Sequence, residues 1–317
     1  METNKRTLNN ILYSLGFFVG LAILLLGLSL VIPKDEDVYD AASVNAVKKE
    51  LDAETKNSLD IIFVGDSECY SNFSPMNIWK EYGITSYTCG TSAQKLCDTY
   101  AILSHMFKTQ QPKAIVLEAN CMYRKAKPVV PSDGDVVMGF LTNNVDAFKY
   151  HSQWKAITNN VFNVKELGQK NVKGFIVRKT TLPYKGDEYM IPSEEAETIP
   201  EDTLLYLDKI LDLCKENDSE LIVVSAPSAR NWTYAKHNGI NAWTSEKNLT
   251  YLDLNLIPEV EIDWSTDTKD GGDHVNLKGA KKVSLYLGKY LTDRFNIEDK
   301  SENPKYKKWK KIKIPSM

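Results

Sequence analysis

Short apolar runs alternate with amphipathic segments along most of the chain. Strands are predicted over 60–64, 84–89, 114–118, 221–225 and 250–254, and helices over 76–82, 92–108, 203–216 and 277–295. Near-continuous apolar strands between helices are typical of a parallel sheet that is covered on both faces. The pattern therefore predicts an α/β domain with a three-layer, doubly wound parallel sheet over residues 58–297.

A separate apolar run precedes this domain. Residues 11–32 carry no charge, and about 20 apolar residues suffice for a helix to cross a bilayer. Lys5 and Arg6 come before the run, while an acidic stretch, Asp35-Glu36-Asp37, follows it. The positive-inside rule then predicts a single-pass cell-membrane protein, with residues 1–10 in the cytoplasm and the catalytic domain extracellular. A cleaved signal peptide is the alternative; its apolar core would be unusually long, and no small-x-small site follows directly.

Three further segments interrupt or flank the alternation. Residues 33–57 are polar and predict a stalk. Residues 121–200 form a long excursion between strands, either an inserted cap and substrate-binding region or a surface insert. Residues 298–317 interleave lysines with aromatic residues, a composition suited to an anionic membrane surface or polymer, or to a solvated end.

Overall composition excludes some classes of function. The 317 residues carry a formal net charge of −3, which argues against nucleic acid as the main partner. The five cysteines have no metal-ligand spacing, and four lie in or beside apolar strand-like stretches. Buried free thiols are therefore expected.

Two polar motifs follow the first predicted strand and precede the last helix. Gly65-Asp66-Ser67 ends the first strand, and Asp270-Gly271-Gly272-Asp273-His274 leads to the last helix. A serine hydroxyl needs an adjacent base to become a nucleophile, and the histidine needs a carboxylate to orient it. Because loops at the carboxyl ends of parallel strands meet at one edge, a Ser-His-Asp triad is predicted there. That chemistry requires neither a metal nor an organic cofactor.

These motifs resemble the SGNH (GDSL-type) hydrolase superfamily over residues 58–297. The resemblance implies that Ser67 is the nucleophile, and that Gly90 and Asn120, after the second and third strands, complete an oxyanion hole with the Ser67 amide. The family usually places the acid three residues before the histidine, where this chain has Gly271. Asp270, four residues before His274, and Asp273, adjacent to it, both remain candidates, and Asn276 is expected to cap the last helix.

The chain is also similar to the membrane-anchored branch of that superfamily. The similarity lies in residues 65–75 with Trp79, and in the order of anchor, nucleophile block, insert and His-x-Asn block. This branch includes the teichoic-acid D-alanylation and the alginate and peptidoglycan O-acetylation proteins. It implies a serine O-acyltransferase or acylesterase that acts on a cell-envelope polymer or glycan, with a polytopic membrane-bound O-acyltransferase as partner. His151 and Trp154, in the insert, are candidate substrate-binding residues.

Two alternatives to this function remain open at the level of sequence. One is a stand-alone carbohydrate acetylesterase that hydrolyses its substrate without a transfer partner. The other is a catalytically silent protein that binds polymer.

Overall fold

The structure is a computed structural model that describes residues 2–31, 43–125 and 171–313. The chain divides into two compact units. In the first, the helix α1 runs from Glu2 to Val31, and its segment Asn9–Leu30 is long and apolar enough to cross a membrane. A signal sequence at the N-terminus would have the same length and composition.

The second unit is built around a parallel sheet of five strands. These are β1 (Ile61–Gly65), β2 (Ser86–Gly90), β3 (Ala114–Glu118), β6 (Glu220–Ser225) and β7 (Thr250–Asp253), in the spatial order β2-β1-β3-β6-β7. The strands β1, β2 and β3 consist entirely of buried residues, and β6 is buried except at its first residue. The order reverses direction between β1 and β3, and clefts in such sheets form outside the carboxyl ends at that point.

Helices cover both faces of this sheet, which confirms the predicted three-layer α/β fold. They are α2 (Val44–Asp52), α3 (Ser67–Asn72), α4 (Pro75–Tyr82), α5 (Leu96–Met106), α6 (Glu201–Glu216), α7 (Tyr234–Glu246), α8 (Leu277–Phe295) and α9 (Lys307–Lys310). Ile61 and Phe63 of β1 pack with Ile78 of α4 and Val283 of α8 in one core cluster. Because side chains alternate along a strand, Ile62 and Val64 face the other layer.

A short hairpin covers the outer edge of β2. It consists of β4 (Asn171–Val172) and β5 (Phe175–Ile176). The Thr88 N–H donates to the Lys173 carbonyl at 3.0 Å, so the hairpin pairs with the edge strand. Gly174, at φ +81°, passes so close that a Cβ would lie 1.7 Å from the Thr88 carbonyl oxygen. Only glycine fits this turn.

Two flanking segments differ from the sequence predictions. Residues 44–52, inside the predicted stalk, form α2, whose Val47 and Leu51 are buried. In the predicted basic tail, Tyr306 and Trp309 are buried against the domain. Both differences have the same cause, because a few apolar side chains at helical spacing suffice to fix a charged segment to a core.

Candidate active site

Ser67 stands where β1 turns into α3, at the carboxyl edge of the sheet. The Asp66 carboxylate accepts the Glu68 N–H at 3.0 Å and so caps the helix that Ser67 begins. A Cβ on Gly65 would lie 2.6 Å from the Glu118 Cβ, so the turn requires glycine. Ser67 is partly exposed between buried neighbours, which leaves its hydroxyl accessible to a substrate.

His274 is held by Asp270 through two hydrogen bonds. The Nδ1 atom of His274 lies 2.8 Å from Asp270 Oδ2, and the His274 backbone N–H donates to Oδ1 at 2.8 Å. Gly271 and Gly272 adopt φ values of +76° and +92°, which bend the loop so that a residue four positions earlier reaches the imidazole. Partial burial alone would raise the pKa of Asp270, but the side-chain and backbone hydrogen bonds from His274 outweigh it and lower the pKa to about 2.

Asp273, the other candidate acid, has different partners. Its Oδ2 atom lies 3.4 Å from His274 Nδ1, too far for a good hydrogen bond. Its Oδ1 atom accepts from the Asn231 side-chain amide, and its carbonyl accepts the Ser228 hydroxyl at 2.6 Å. The geometry therefore favours Asp270 as the residue that orients His274. Asp273 instead attaches the loop to Ser228 and Asn231.

The surroundings of the second ring nitrogen of His274 show how the loop lies against the turn after β1. Nε2 is buried and has no hydrogen-bond partner among the described residues, Ser67 included. Glu68, the residue after Ser67, has a carboxylate oxygen within 4.8 Å of a His274 ring nitrogen. The turn after β1 therefore meets the loop of residues 268–274, called here the histidine loop.

The two predicted oxyanion residues also lie at this edge. Gly90 pairs with Gly65 in the sheet, and a Cβ on Gly90 would lie 3.0 Å from the Asp66 carbonyl. Asn120 follows β3, and its Nδ2 donates to Asp66 Oδ2 at 3.0 Å. A primary amide carries two hydrogens, so this bond leaves one available to a substrate oxyanion. The structure thus brings Ser67, Gly90, Asn120 and the histidine loop to one sheet edge.

Four further residues of the site have no counterpart among the sequence candidates. Glu68 is almost fully buried, and its two oxygens accept from Asn231 at 3.1 Å and from Asn72 at 3.2 Å. Arg124 donates from Nε to Asp66 at 2.7 Å. Glu118 accepts the Asn120 N–H with both oxygens. In the sequence, the one sign of a role for Glu68 is its position directly after Ser67. The residues around Asn231 in the sequence give no sign of its role.

The carboxylates beneath Ser67 make the site strongly acidic. Burial raises the pKa of Glu68 well above its usual range, and the negative charges of Asp66 and Glu118 raise it further. Burial, and then the charge of Asp66, raise the pKa of Glu118 in the same way. Arg124 is the cation that contacts this group directly among the described residues. Both carboxyl groups therefore keep their protons to a higher pH than exposed glutamates do.

Residues 178–184 of the predicted insert, called here the strap, support the histidine loop. The Leu277 N–H donates to the Arg178 carbonyl at 2.7 Å, and the Leu182 N–H donates to the Thr268 carbonyl at 3.1 Å. The Gly271 N–H returns a bond to the Leu182 carbonyl at 2.9 Å. Part of the described insert is thus bound to the histidine loop. His151 and Trp154, the candidate substrate-binding residues, lie outside the described residues.

The remaining histidines and Asn276 have structural partners. Asn276 caps α8, with its Oδ1 accepting from Lys278 and Gly279, as the sequence predicts. His105, in the last turn of α5, bonds Asp52 at 2.8 Å. His237 lies on α7, partly buried, with Nδ1 2.8 Å from Asp253 Oδ2, because the segment 234–246 forms a helix against β7.

One set of side chains could hold a cation. Glu68, Asp273 and His274 each place one donor atom within 4.8 Å of the others. Two carboxylates and an imidazole suit a divalent ion chemically. In this structure, however, Asn231 already bridges the two carboxylates. We assign no metal to the group.

The known proteins that are similar to this chain are solved structures. No protein-family model matches the chain, and no curated protein matches it. Among solved structures it is similar to a GDSL-like lipase from Bacteroides thetaiotaomicron, with 12% identity, a TM-score of 0.41, and 80% of this chain and 99% of that chain covered. A family 3 carbohydrate esterase from Clostridium thermocellum has 14% identity and a TM-score of 0.38, with 77% and 98% covered. At these values we base no functional conclusion on either protein.

Proposed function

We propose that this protein is a serine esterase or acyltransferase in which Ser67, His274 and Asp270 act as a triad. The observation that carries the proposal is the bidentate contact between Asp270 and His274, which leaves Nε2 buried and unpartnered at the edge where Ser67 begins α3. A buried imidazole with one nitrogen fixed by a carboxylate and the other free is arranged to accept a proton.

The reaction follows from these positions. Nε2 of His274 takes the Ser67 proton as Oγ attacks the acyl carbon of an ester, and the carbonyl electrons move onto oxygen. The Ser67 and Gly90 amides and the Asn120 side chain stabilise that oxyanion. The oxyanion then collapses, the ester oxygen leaves with the proton from His274, and the acyl group stays on Ser67. A second hydroxyl gives its proton to His274 and attacks the acyl carbon. The bond from the acyl carbon to Ser67 Oγ then breaks, and Oγ takes the proton back from His274.

The second hydroxyl decides between hydrolysis and transfer. Water gives hydrolysis, and a hydroxyl of an envelope polymer or glycan gives acyl transfer. We favour transfer at the outer face of the cell membrane, with α1 as an uncleaved anchor and a polytopic membrane-bound O-acyltransferase as the acyl supplier. The support is the long apolar helix and the motif resemblance described above. A stand-alone carbohydrate acetylesterase would use the same triad.

A fluorophosphonate probe tests the triad directly. The full-length protein in detergent should be labelled, and both Ser67→Ala and His274→Ala should abolish labelling. Ser92→Ala is the matched control, because Ser92 is an exposed serine in the loop that follows β2. An unlabelled wild type, or equal labelling of Ser67→Ala, would show that the triad assignment is wrong and would favour a binding protein.

A second experiment separates transfer from hydrolysis. Purified protein is incubated with an acetyl-ester donor and a soluble glycan acceptor, with and without a co-reconstituted polytopic acyltransferase. Acetylated glycan that depends on Ser67 supports transfer. Release of acetate alone, unchanged by acceptor or partner, supports the stand-alone esterase.

A further inference from the structure

The C-terminal residues are fixed to the domain by two aromatic side chains. Trp309 lies 5.2 Å from Trp79 of α4, and Tyr306 lies 6.1 Å from it, measured between ring centroids. All three rings are almost completely buried. The Lys173 ammonium, which is paired with Glu54, lies 4.4 Å from the centre of the Trp309 ring. This packing holds residues 304–312 on the surface of the domain.

The lysines on and around this anchored segment are exposed to solvent. We call Lys305, Lys307, Lys308, Lys311 and Lys313 the lysine face, and all five are exposed. Lys310 pairs with Glu302 at 2.9 Å, whereas no lysine of the face forms an ion pair with any described residue. Five unneutralised charges within nine residues stand out in a protein whose net charge is −3.

The segment that leads into the lysine face is fixed at the amino-end edge of the sheet, whereas Ser67 lies at the carboxyl-end edge. Lys300 bonds Asp60, the residue before β1, and its N–H donates to the Gly83 carbonyl at 3.0 Å. Both partners lie at the amino ends of strands, whereas Ser67 and Glu118 lie at or just beyond carboxyl ends. The domain is therefore polarised along its strands, with buried acids under the carboxyl-end edge and the entry to the lysine face at the amino-end edge.

This polarity distinguishes two anionic partners. A polyanionic substrate that reaches Ser67 would approach the acidic edge and would leave the lysine face unused. A broad anionic surface could contact the whole row at once, and each lysine near such a surface adds to the attraction. We propose that the lysine face docks on the anionic lipid headgroups of a bilayer. The proposal goes beyond the chemistry of Ser67 and does not depend on it.

Lysine footprinting in lipid nanodiscs tests the docking. The full-length protein is reconstituted in nanodiscs of phosphatidylcholine alone or with phosphatidylglycerol, and amine acetylation rates are measured by peptide mass spectrometry. We expect phosphatidylglycerol to slow acetylation of Lys307, Lys308 and Lys311 by about fivefold or more. Lys215 on α6 and Lys281 on α8 are exposed internal controls and should not change. High salt should remove the protection, because it screens exposed charges.

Each outcome decides the proposal. Selective, salt-sensitive protection of the lysine face supports it. Equal acetylation rates in the two lipids would overturn it. Protection in phosphatidylcholine discs on addition of soluble poly(glycerol phosphate), without an effect of phosphatidylglycerol, would also overturn it and assign the face to an anionic polymer. Because the wild-type chain is used throughout, a folding defect cannot imitate any of these results.

Discussion

Asp270 and Asp273 show how one bend in the backbone assigns two identical side chains to different tasks. Asp270 makes both hydrogen bonds to His274, while Asp273 turns toward Asn231. Sequence spacing left the two open, because the family's usual position is occupied by Gly271. The two consecutive left-handed glycines decide between them, and a conformation of that kind is not encoded in any spacing rule.

The corresponding prediction compares the two asparagine variants. Asp270→Asn should lower kcat/KM for an acetyl ester by about 10³-fold or more, because the amide favours the wrong imidazole tautomer. Asp273→Asn should cause a much smaller loss, since an amide there can still contact the 228–231 loop. Ester hydrolysis by the two purified variants measures both effects. A larger loss for Asp273→Asn would reverse the assignment.

Glu68 leads to a prediction about pH and stability. Burial raises its pKa, so its contribution to stability is complete below pH about 4 and is lost as the pH rises toward the folded-state pKa. The free energy of unfolding of the wild type, relative to Glu68→Gln, should therefore fall between pH 5 and pH 9. Chemical denaturation at several pH values measures it, with Glu81→Gln, an exposed change on α4, as control. A constant difference across this range would contradict the buried, proton-binding role.

At the residue scale, the sequence predicts the positions of the local motifs. Ser67 and Gly90 lie at strand ends and His274 precedes a helix, as expected, while their catalytic roles stay predictions. Glu68 and Asn231 could not be found in this way. Their contact joins residues 163 positions apart, and only the fold brings them together.

At the scale of elements, the histidine loop and its strap form one hydrogen-bonded unit. The strap accepts and donates backbone bonds on both sides of the glycine pair. A Cβ on Gly272 would lie 2.5 Å from the Tyr184 ring, whereas a Cβ on Gly271 would meet nothing closer than 3.9 Å. The two glycines share a left-handed conformation but differ in the space around them.

Gly271→Ala and Gly272→Ala therefore form a matched pair. Gly271→Ala should cost about 1 kcal/mol of stability through backbone strain alone. Gly272→Ala adds overpacking against Tyr184, about 1–3 kcal/mol more, and should displace His274 enough to reduce fluorophosphonate labelling. Thermal unfolding and labelling rates check both. Equal effects of the two variants would mean that Tyr184 does not restrain the loop.

Most elements were predictable because their apolar patterns are strong. The helix Leu277–Phe295 and the strand Ala114–Glu118 begin and end where the sequence predicts. The helix α7 was not predicted, since its sequence is polar and weakly amphipathic. Only its contacts with β7 explain why it forms there.

At the scale of the whole molecule, the N-terminus and the catalytic domain are expected to lie on opposite sides of the membrane. An impermeant maleimide applied to intact cells should label Lys215→Cys above the wild-type background. Thr3→Cys should be labelled only after permeabilisation, because the positive-inside rule keeps the N-terminus in the cytoplasm. Intact mass should include residues 1–32. A mature protein that lacks them would identify the segment as a cleaved signal peptide.

The hairpin on β2 limits how this chain can be shortened. An uncovered outer strand presents a row of free N–H and carbonyl groups on which another copy can add a strand. The bond from the Thr88 N–H to the Lys173 carbonyl ties residues 171–176 across that outer edge. A deletion within the insert is therefore compatible with a soluble monomer only if it ends before Asn171. A deletion that continues through Ile176 would turn the outer strand into a template for self-association.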